Sequence, residues 1–150
     1  GRPRGEEFAN RLRQRVNAEE HGIPPRRHRG IWVMEVFPAA AILELFRLDA
    51  ALQYKKKRGR SWPRCRRELR RLLTLFASLR NPRLSFREPL AVGSKRGKAF
   101  KEVEDQADAA LCAYLAGLAW LEGARRMELV GSLKEGYIVL PCPRSAGYRR

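Results

Sequence analysis

The chain has 150 residues, of which 44% are hydrophobic, so it is long enough to bury one core and too short for two ordinary domains. This composition excludes a wholly disordered protein. Because there are 32 Lys and Arg against 16 Asp and Glu, the formal charge is +16, which favours a polyanionic partner. RNA, DNA or an anionic membrane surface would all qualify.

The sequence also excludes a membrane-spanning protein and a disulfide-stabilised protein. No apolar run approaches the roughly 18–20 residues of a membrane-spanning helix, and the N-terminus is charged where a signal peptide would be apolar. Cys65, Cys112 and Cys142 are scattered and include no CxxC pair, so neither a disulfide framework nor a zinc site is indicated. We therefore expect a cytoplasmic protein that does not enter a membrane.

The first thirty residues predict a basic helix and a basic loop. Phe8, Leu12 and Val16 recur every four residues within 4–18, which is typical of an amphipathic helix. Gly and Pro punctuate 21–30, and the two histidines of that loop are expected to be solvated. We expect a single domain with three parts: residues 1–30, a core at 31–141 and a basic tail at 142–150.

Residues 31–37, IWVMEVF, predict a strand that is covered on both faces, because the run is continuously apolar and rich in β-branched and aromatic residues. A helix is predicted to follow from Ala39 to about Leu48, with Pro38 in its first turn. Glu35 is exceptional in such a strand. It either sits at the open strand end beside the helix N-terminus or serves as a metal or active-site carboxylate.

Residues 53–71 carry the densest run of positive charge, with one acid among ten cations. Ser61 is a good N-cap and Pro63 fits a first turn, so a helix is predicted there with a buried apolar stripe and a basic outer face. That face is either simply solvated or binds phosphates, and we favour phosphate binding because unpaired like charges repel. Two aromatic residues of the run could stack on unpaired bases. The predicted nucleic-acid-binding residues are Tyr54, Lys55, Lys56, Lys57, Arg58, Arg60, Trp62, Arg64, Arg67 and Arg71.

Residues 81–98 predict a loop. Its GSKRGK stretch is not a phosphate-binding loop, since the glycine spacing is one residue short and Ala99 stands where Ser or Thr should be. Apolar residues then recur at three- and four-residue steps over 102–123, which predicts a helix that buries one side. Strands are predicted at 127–130 and 137–140, with Gly and Ser as turn residues between them.

Asp105 and Asp108 stand one turn apart near the start of this predicted helix. They are either favourable charges at a helix N-terminus or part of a catalytic site. Asp108 is the stronger catalytic candidate because it borders the buried side through Leu111 and Leu115.

Four motifs occur together in this chain: EVFPAA at Glu35–Ala40, YK at Tyr54–Lys55, EDQADAALCAY at Glu104–Tyr114 and EGYIVLP at Glu135–Pro141. Over roughly residues 31–141, their order and spacing resemble the C-terminal part of a prokaryotic domain-of-unknown-function family, described as predicted nucleases with a ribonuclease H-like fold. The resemblance implies an α/β domain whose mixed sheet is flanked by helices.

The same resemblance implies a site for Mg²⁺ or Mn²⁺, with Glu35, Asp105 and Asp108 as catalytic and metal-binding residues. Magnesium prefers oxygen ligands, and bound ions can activate water for phosphodiester cleavage. The family pattern begins with a strand that bears an Asp, whereas no Asp precedes Asp49 in this chain. We therefore expect a processed or truncated product that lacks the N-terminal strands and the first catalytic acid.

Three functions follow as hypotheses. The first is a metal-dependent nuclease that acts on RNA or DNA, or a portion of one. The second is a non-catalytic nucleic-acid-binding remnant, and the third is a protein that binds acidic protein surfaces.

Overall fold

The computed structural model describes Arg11, Gln14, residues 22–132 and residues 135–142. Three helices come first along the chain: α1 (Pro38–Phe46), α2 (Trp62–Ala77) and α3 (Gly97–Glu122). A 3-10 turn (Gly123–Arg125) and two strands follow, β1 (Met127–Ser132) and β2 (Gly136–Pro141). The described fold is therefore mixed α/β, which confirms the predicted class at that level.

The chain divides into two compact units. The central unit is Pro38–Leu115, and the terminal unit combines Gly1–Phe37 with Ala116–Arg150. α1, α2 and most of α3 belong to the central unit, whereas the end of α3 and the β1–β2 hairpin belong to the terminal unit.

α1 confirms the predicted helix and ends two residues early. Arg47 takes a left-handed φ of 50°, and the backbone N–H of Leu48 donates to the carbonyl of Leu43 at 3.0 Å. This is a Schellman-type end, which satisfies a carbonyl that the helix itself leaves unpaired. Ala41 and Ile42 are the buried residues of α1.

α2 confirms the predicted cap and stripe. The hydroxyl oxygen of Ser61 accepts from the backbone N–H of Arg64 at 3.4 Å, and Pro63 lies in the first turn. Phe76 is fully buried and contacts the rings of Phe46 and Phe86. The helix buries Cys65, Leu69, Leu72 and Phe76, and Leu73 is half-buried.

α3 begins at Gly97, earlier than the predicted start at Glu102. The extra turn is anchored by Phe100, which is fully buried. Gly97 and Lys98 are therefore helical, and the predicted loop is shorter than expected. The predicted stripe is otherwise confirmed: Val103, Ala107, Leu111, Tyr114 and Leu118 are buried, and Ala110 and Leu121 are half-buried.

β1 and β2 form an antiparallel pair whose register runs from Met127 opposite Pro141 to Ser132 opposite Gly136. Both predicted strands are confirmed and are longer than expected. The predicted turn residues Gly131 and Ser132 are paired within β1. Within this pairing Gly131 adopts a φ of 105°, which a residue with a side chain rarely adopts.

The strand predicted over 31–37 is wrong. Across this fully described segment no strand forms, and Trp32 makes only an isolated bridge. The backbone N–H of Val139 donates to the carbonyl of Glu35 at 2.8 Å, so the segment lies beside β2 without a continuous ladder. Ile31 is 44% exposed and Phe37 55% exposed, so the apolar run is not covered on both faces.

Other predictions lie largely outside the described residues. Arg11 and Gln14 are helical, but the rest of the helix predicted at 4–18 is not described, nor are His21 and the tail from Pro143. No described helix combines the length and apolar character that crossing a membrane would require.

Candidate functional site

Asp108 is the centre of a polar cluster in the central unit. The hydroxyl of Tyr54 donates to its Oδ1 at 2.6 Å, and the ammonium of Lys55 lies 2.5 Å from its Oδ2. The Asp108 side chain is 20% exposed. Both of its oxygens therefore have a partner from the segment that precedes α2.

Glu104 is a second buried acid, which the sequence interpretation missed. It is 3% exposed, its Oε1 accepts from the backbone N–H of Lys56 at 2.9 Å, and its Oε2 lies 3.7 Å from the ammonium of Lys101. A sequence signal was present, since Glu104 is four residues before Asp108 and seven before Leu111 and so shares their helix face. We call Tyr54, Lys55, Glu104 and Asp108 the Asp108 cluster.

Burial and a hydrogen bond within the cluster both act on the protonation of Tyr54. Burial, followed by the hydrogen bond to Asp108, raises the pKa of Tyr54 above its ordinary value. Tyr54 is therefore a hydrogen-bond donor at neutral pH. Burial also raises the pKa of the nearby Cys112 thiol, so this cysteine is not an activated nucleophile.

The other predicted acids have different surroundings. The Asp105 side chain is 60% exposed and pairs with Lys101 of the same helix. This hydrogen bond is the main cause of a raised pKa at Lys101. Glu35 is exposed and belongs to the terminal unit.

The cluster does not fit a metal ion as it is arranged. Mg²⁺ and Mn²⁺ need open oxygen ligands, whereas both oxygens of Asp108 are engaged and Glu104 is buried with its own donors. Within the described residues, no group of three or more His, Cys, Asp or Glu side chains could hold a metal. A cation that approached Asp108 would compete with the ammonium of Lys55 for Oδ2.

Part of the basic run has a structural role. The guanidinium of Arg60 donates to the carbonyl of Lys55 at 3.0 Å, and the ammonium of Lys56 lies 5.4 Å from the centre of the Trp62 ring. Arg70 donates to the carbonyl of Gly93 at 2.8 Å, and Arg66 makes longer contacts to the next two carbonyls. These cations hold the loops on either side of α2 in place.

The remaining cations of the run face solvent. On α2, Arg64, Arg67 and Arg71 are exposed and follow a three- and four-residue spacing, which places them on one outer face. Arg67 lies 3.6 Å from Glu68, whereas no described side-chain bond or ion pair involves Arg64 or Arg71. The exposed Lys57 and Arg58 precede the helix.

The two predicted stacking residues have different outcomes. Tyr54 is 2% exposed, so its ring cannot receive a base, and that part of the prediction is wrong. Trp62 is half-buried and meets Phe100 edge-on, with ring centres 5.5 Å apart. Its stacking role stays a prediction.

The four sequence motifs meet in two pairs, each within one unit. In the central unit, YK meets the helix motif at Glu104 and Asp108. In the terminal unit, Glu35 of the first motif accepts a backbone hydrogen bond from Val139 of the last motif.

A family model described as "Protein of unknown function (DUF429)" matches residues 4–129. The match begins before the range expected from the four motifs and ends before the last of them. No curated protein and no solved structure matches the chain. Because the match covers most of the sequence, the chain belongs to the DUF429 family.

Proposed function

We propose that this protein binds RNA or DNA through phosphate contacts on the outer face of α2, within a nuclease-like domain that has a ribonuclease H-like fold. The observation that carries this proposal is the row of exposed arginines at Arg64, Arg67 and Arg71. Seven residues of helix separate the first from the last, a distance of about 10 Å along the axis. A rigid helix thus presents several cations at fixed spacing to an extended polyanion.

Charge balance supports a partner for this face. Like charges on one helix face repel, and Glu68 is the one acid between Lys55 and Arg71. Phosphates would relieve that repulsion and release their condensed counterions. A carboxylate-rich protein surface would also relieve the repulsion. Competition by nucleic acid distinguishes the two partners.

The test is the salt dependence of binding to a labelled oligonucleotide. Replacing both Arg64 and Arg71 by Gln should lower the slope of log K against log salt by about 1.4–1.8, since each phosphate contact contributes about 0.7–0.9. The matched control replaces Arg29 and Arg47, which are exposed cations outside this face, and should leave the slope nearly unchanged. Equal effects of the two double variants, or affinity that is flat with salt, would contradict the proposal.

A metal-dependent nuclease is the second candidate function. It is favoured by the meeting of YK with the helix motif at Asp108, because these motifs carry the resemblance to predicted nucleases. Glu35, Asp105 and Asp108 are the proposed metal ligands by resemblance alone. The arrangement of Asp108 disagrees with that assignment, because Tyr54 and Lys55 engage its two oxygens.

Cleavage assays in Mg²⁺ and in Mn²⁺ test this second candidate. Asp108→Asn should abolish metal-dependent cleavage and leave nucleic-acid binding intact, and circular dichroism would confirm that the variant folds. Metal-dependent cleavage that persists in Asp108→Asn, or its absence from the parent chain, would remove the candidate.

A further inference from the structure

A cleft of about 370 Å³ opens in the central unit, away from the Asp108 cluster, between the end of α2 and the loop that follows it. Its size lies at the lower end of the range for small-ligand sites. Apolar side chains supply most of its walls, and no acid lines it. The lining residues include Ala77, Arg80, Arg83 and Phe86.

The cleft contains an aromatic side chain whose position is fixed. The half-buried ring of Phe86 lies against the fully buried ring of Phe76, with ring centres 6.4 Å apart and planes inclined by 29°. Because Phe76 belongs to the core, Phe86 is positioned before any ligand arrives. A planar ligand that enters the cleft therefore meets an aromatic surface that needs little reordering.

The two positive charges that line the cleft favour an anionic ligand. Arg80 and Arg83 face each other in an antiparallel bridge, so their side chains leave the backbone on the same side. Like charges directly opposite each other are destabilising, and no described ion pair involves either arginine. Glu88 belongs to the same loop but is not among the lining residues.

We propose that this cleft takes one unpaired base of a single-stranded nucleic acid, with Arg80 and Arg83 on the adjoining phosphates. An apolar, aromatic-lined slot beside two cations matches a nucleotide, which joins a flat ring to an anion. The inference rests on the proposed nucleic-acid binding and deepens it, because it identifies single strands as the favoured substrate class. An acidic peptide with a bulky apolar residue is the competing occupant, and the net charge of +16 favours the polyanion.

The experiment compares three labelled probes of about 12 nucleotides, a length typical of single-strand sites. One is an intact single strand, one is the same strand with abasic positions, and one is the duplex. The parent chain should bind the intact strand about tenfold more tightly than the abasic strand, the effect of one stacked base. Ala77→Trp, which fills the cleft from an exposed helix end, should remove this preference.

Two further variants complete the test. Ala113→Trp places the same side chain at an exposed position of α3 outside the cleft and should keep the preference. Replacing both Arg80 and Arg83 by Gln should weaken binding of the intact and abasic strands alike and lower the salt slope by about 1.4. Circular dichroism establishes that each variant is folded.

The outcomes separate this inference from the function on which it rests. Steeply salt-dependent binding with equal affinity for intact and abasic strands would overturn the proposal that the cleft binds a base. It would still support the proposed phosphate contacts. No salt-dependent binding of any probe would overturn both. If Ala77→Trp leaves strand binding unchanged but abolishes binding of an acidic, leucine-containing peptide, the occupant is a protein and the nucleotide assignment is wrong.

Discussion

At Asp108 two donors from the segment before α2 converge on one carboxylate, whereas Asp105 pairs with a lysine of its own helix. Asp108→Asn should lower the free energy of unfolding by about 2 kcal/mol, because it weakens a part-buried ion pair and a charge-assisted hydrogen bond. Asp105→Asn is the matched control and should cost less than about 1 kcal/mol, since its pair is exposed. Urea denaturation measures both, and equal costs would show that Asp108 does not tie these segments together.

Tyr54 should make stability depend on alkaline pH. Its pKa is raised in the folded state by burial and by the bond to Asp108. Above about pH 10 the unfolded chain therefore loses a proton that the folded chain keeps, and stability falls as pH rises. In Tyr54→Phe, the free energy of unfolding should decline less steeply with pH, by up to about 1.4 kcal/mol per pH unit. This difference in slope is independent of the effect of the substitution on stability at neutral pH. Urea titrations at about pH 9 and 11 test this, and an identical decline in both proteins would contradict it.

Residue patterns predicted Asp108 as a site residue but did not predict which residues it contacts. Asp108 could be preferred over Asp105 because it borders the apolar stripe, and the structure describes it as the less exposed of the two. Its contacts with Tyr54 and Lys55 could not be predicted, since more than fifty residues separate them and helix spacing reports only local neighbours. Glu104 could have been found, because a charge on a buried helix face needs a partner.

At the scale of elements, local signals decided which predictions held. α2 could be predicted because a cap, a proline and an apolar stripe agree within one stretch. The segment at 31–37 carries only an apolar run, and a strand also needs neighbours that pair with it along its length. The composition of the segment does not show whether such neighbours exist, so the prediction of a covered strand there was wrong.

The β1–β2 hairpin offers a matched pair of glycines. Gly131 and Gly136 have nearly equal φ angles of 105° and 108°, but a Cβ at Gly131 would lie 2.5 Å from the carbonyl oxygen of Gly136, whereas Gly136 has open space. Gly136→Ala should cost about 1–2 kcal/mol through backbone strain alone. Gly131→Ala should cost clearly more, because a backbone clash adds to the same strain. Thermal denaturation compares them, and equal costs would mean that the hairpin relaxes to admit the Cβ.

For the whole molecule, the net charge of +16 sets a balance between stability and binding. Lys55 pairs with Asp108, and Arg60 and Arg70 donate to loop carbonyls, so these three cations have partners within the fold. Arg64 and Arg71 on α2 and Arg80 and Arg83 beside the cleft are exposed and add repulsion, because no described ion pair involves them. A surface of this kind is stabilised by whatever anion it collects, which links the fold's stability to its proposed ligand.

That balance predicts how sodium chloride should affect stability. Screening should raise the melting temperature between about 0.02 and 0.3 M salt, because the Debye length falls below the spacing of many like charges. Two double variants should each raise the low-salt melting temperature, since each removes two positive charges. One replaces both Arg64 and Arg71 by Gln, and the other replaces both Arg29 and Arg47 by Gln. Only the first pair should also weaken nucleic-acid binding. A melting temperature that falls with salt would mean that attractive pairs such as Lys55–Asp108 outweigh the repulsion, and the exposed cations would then need no anionic partner.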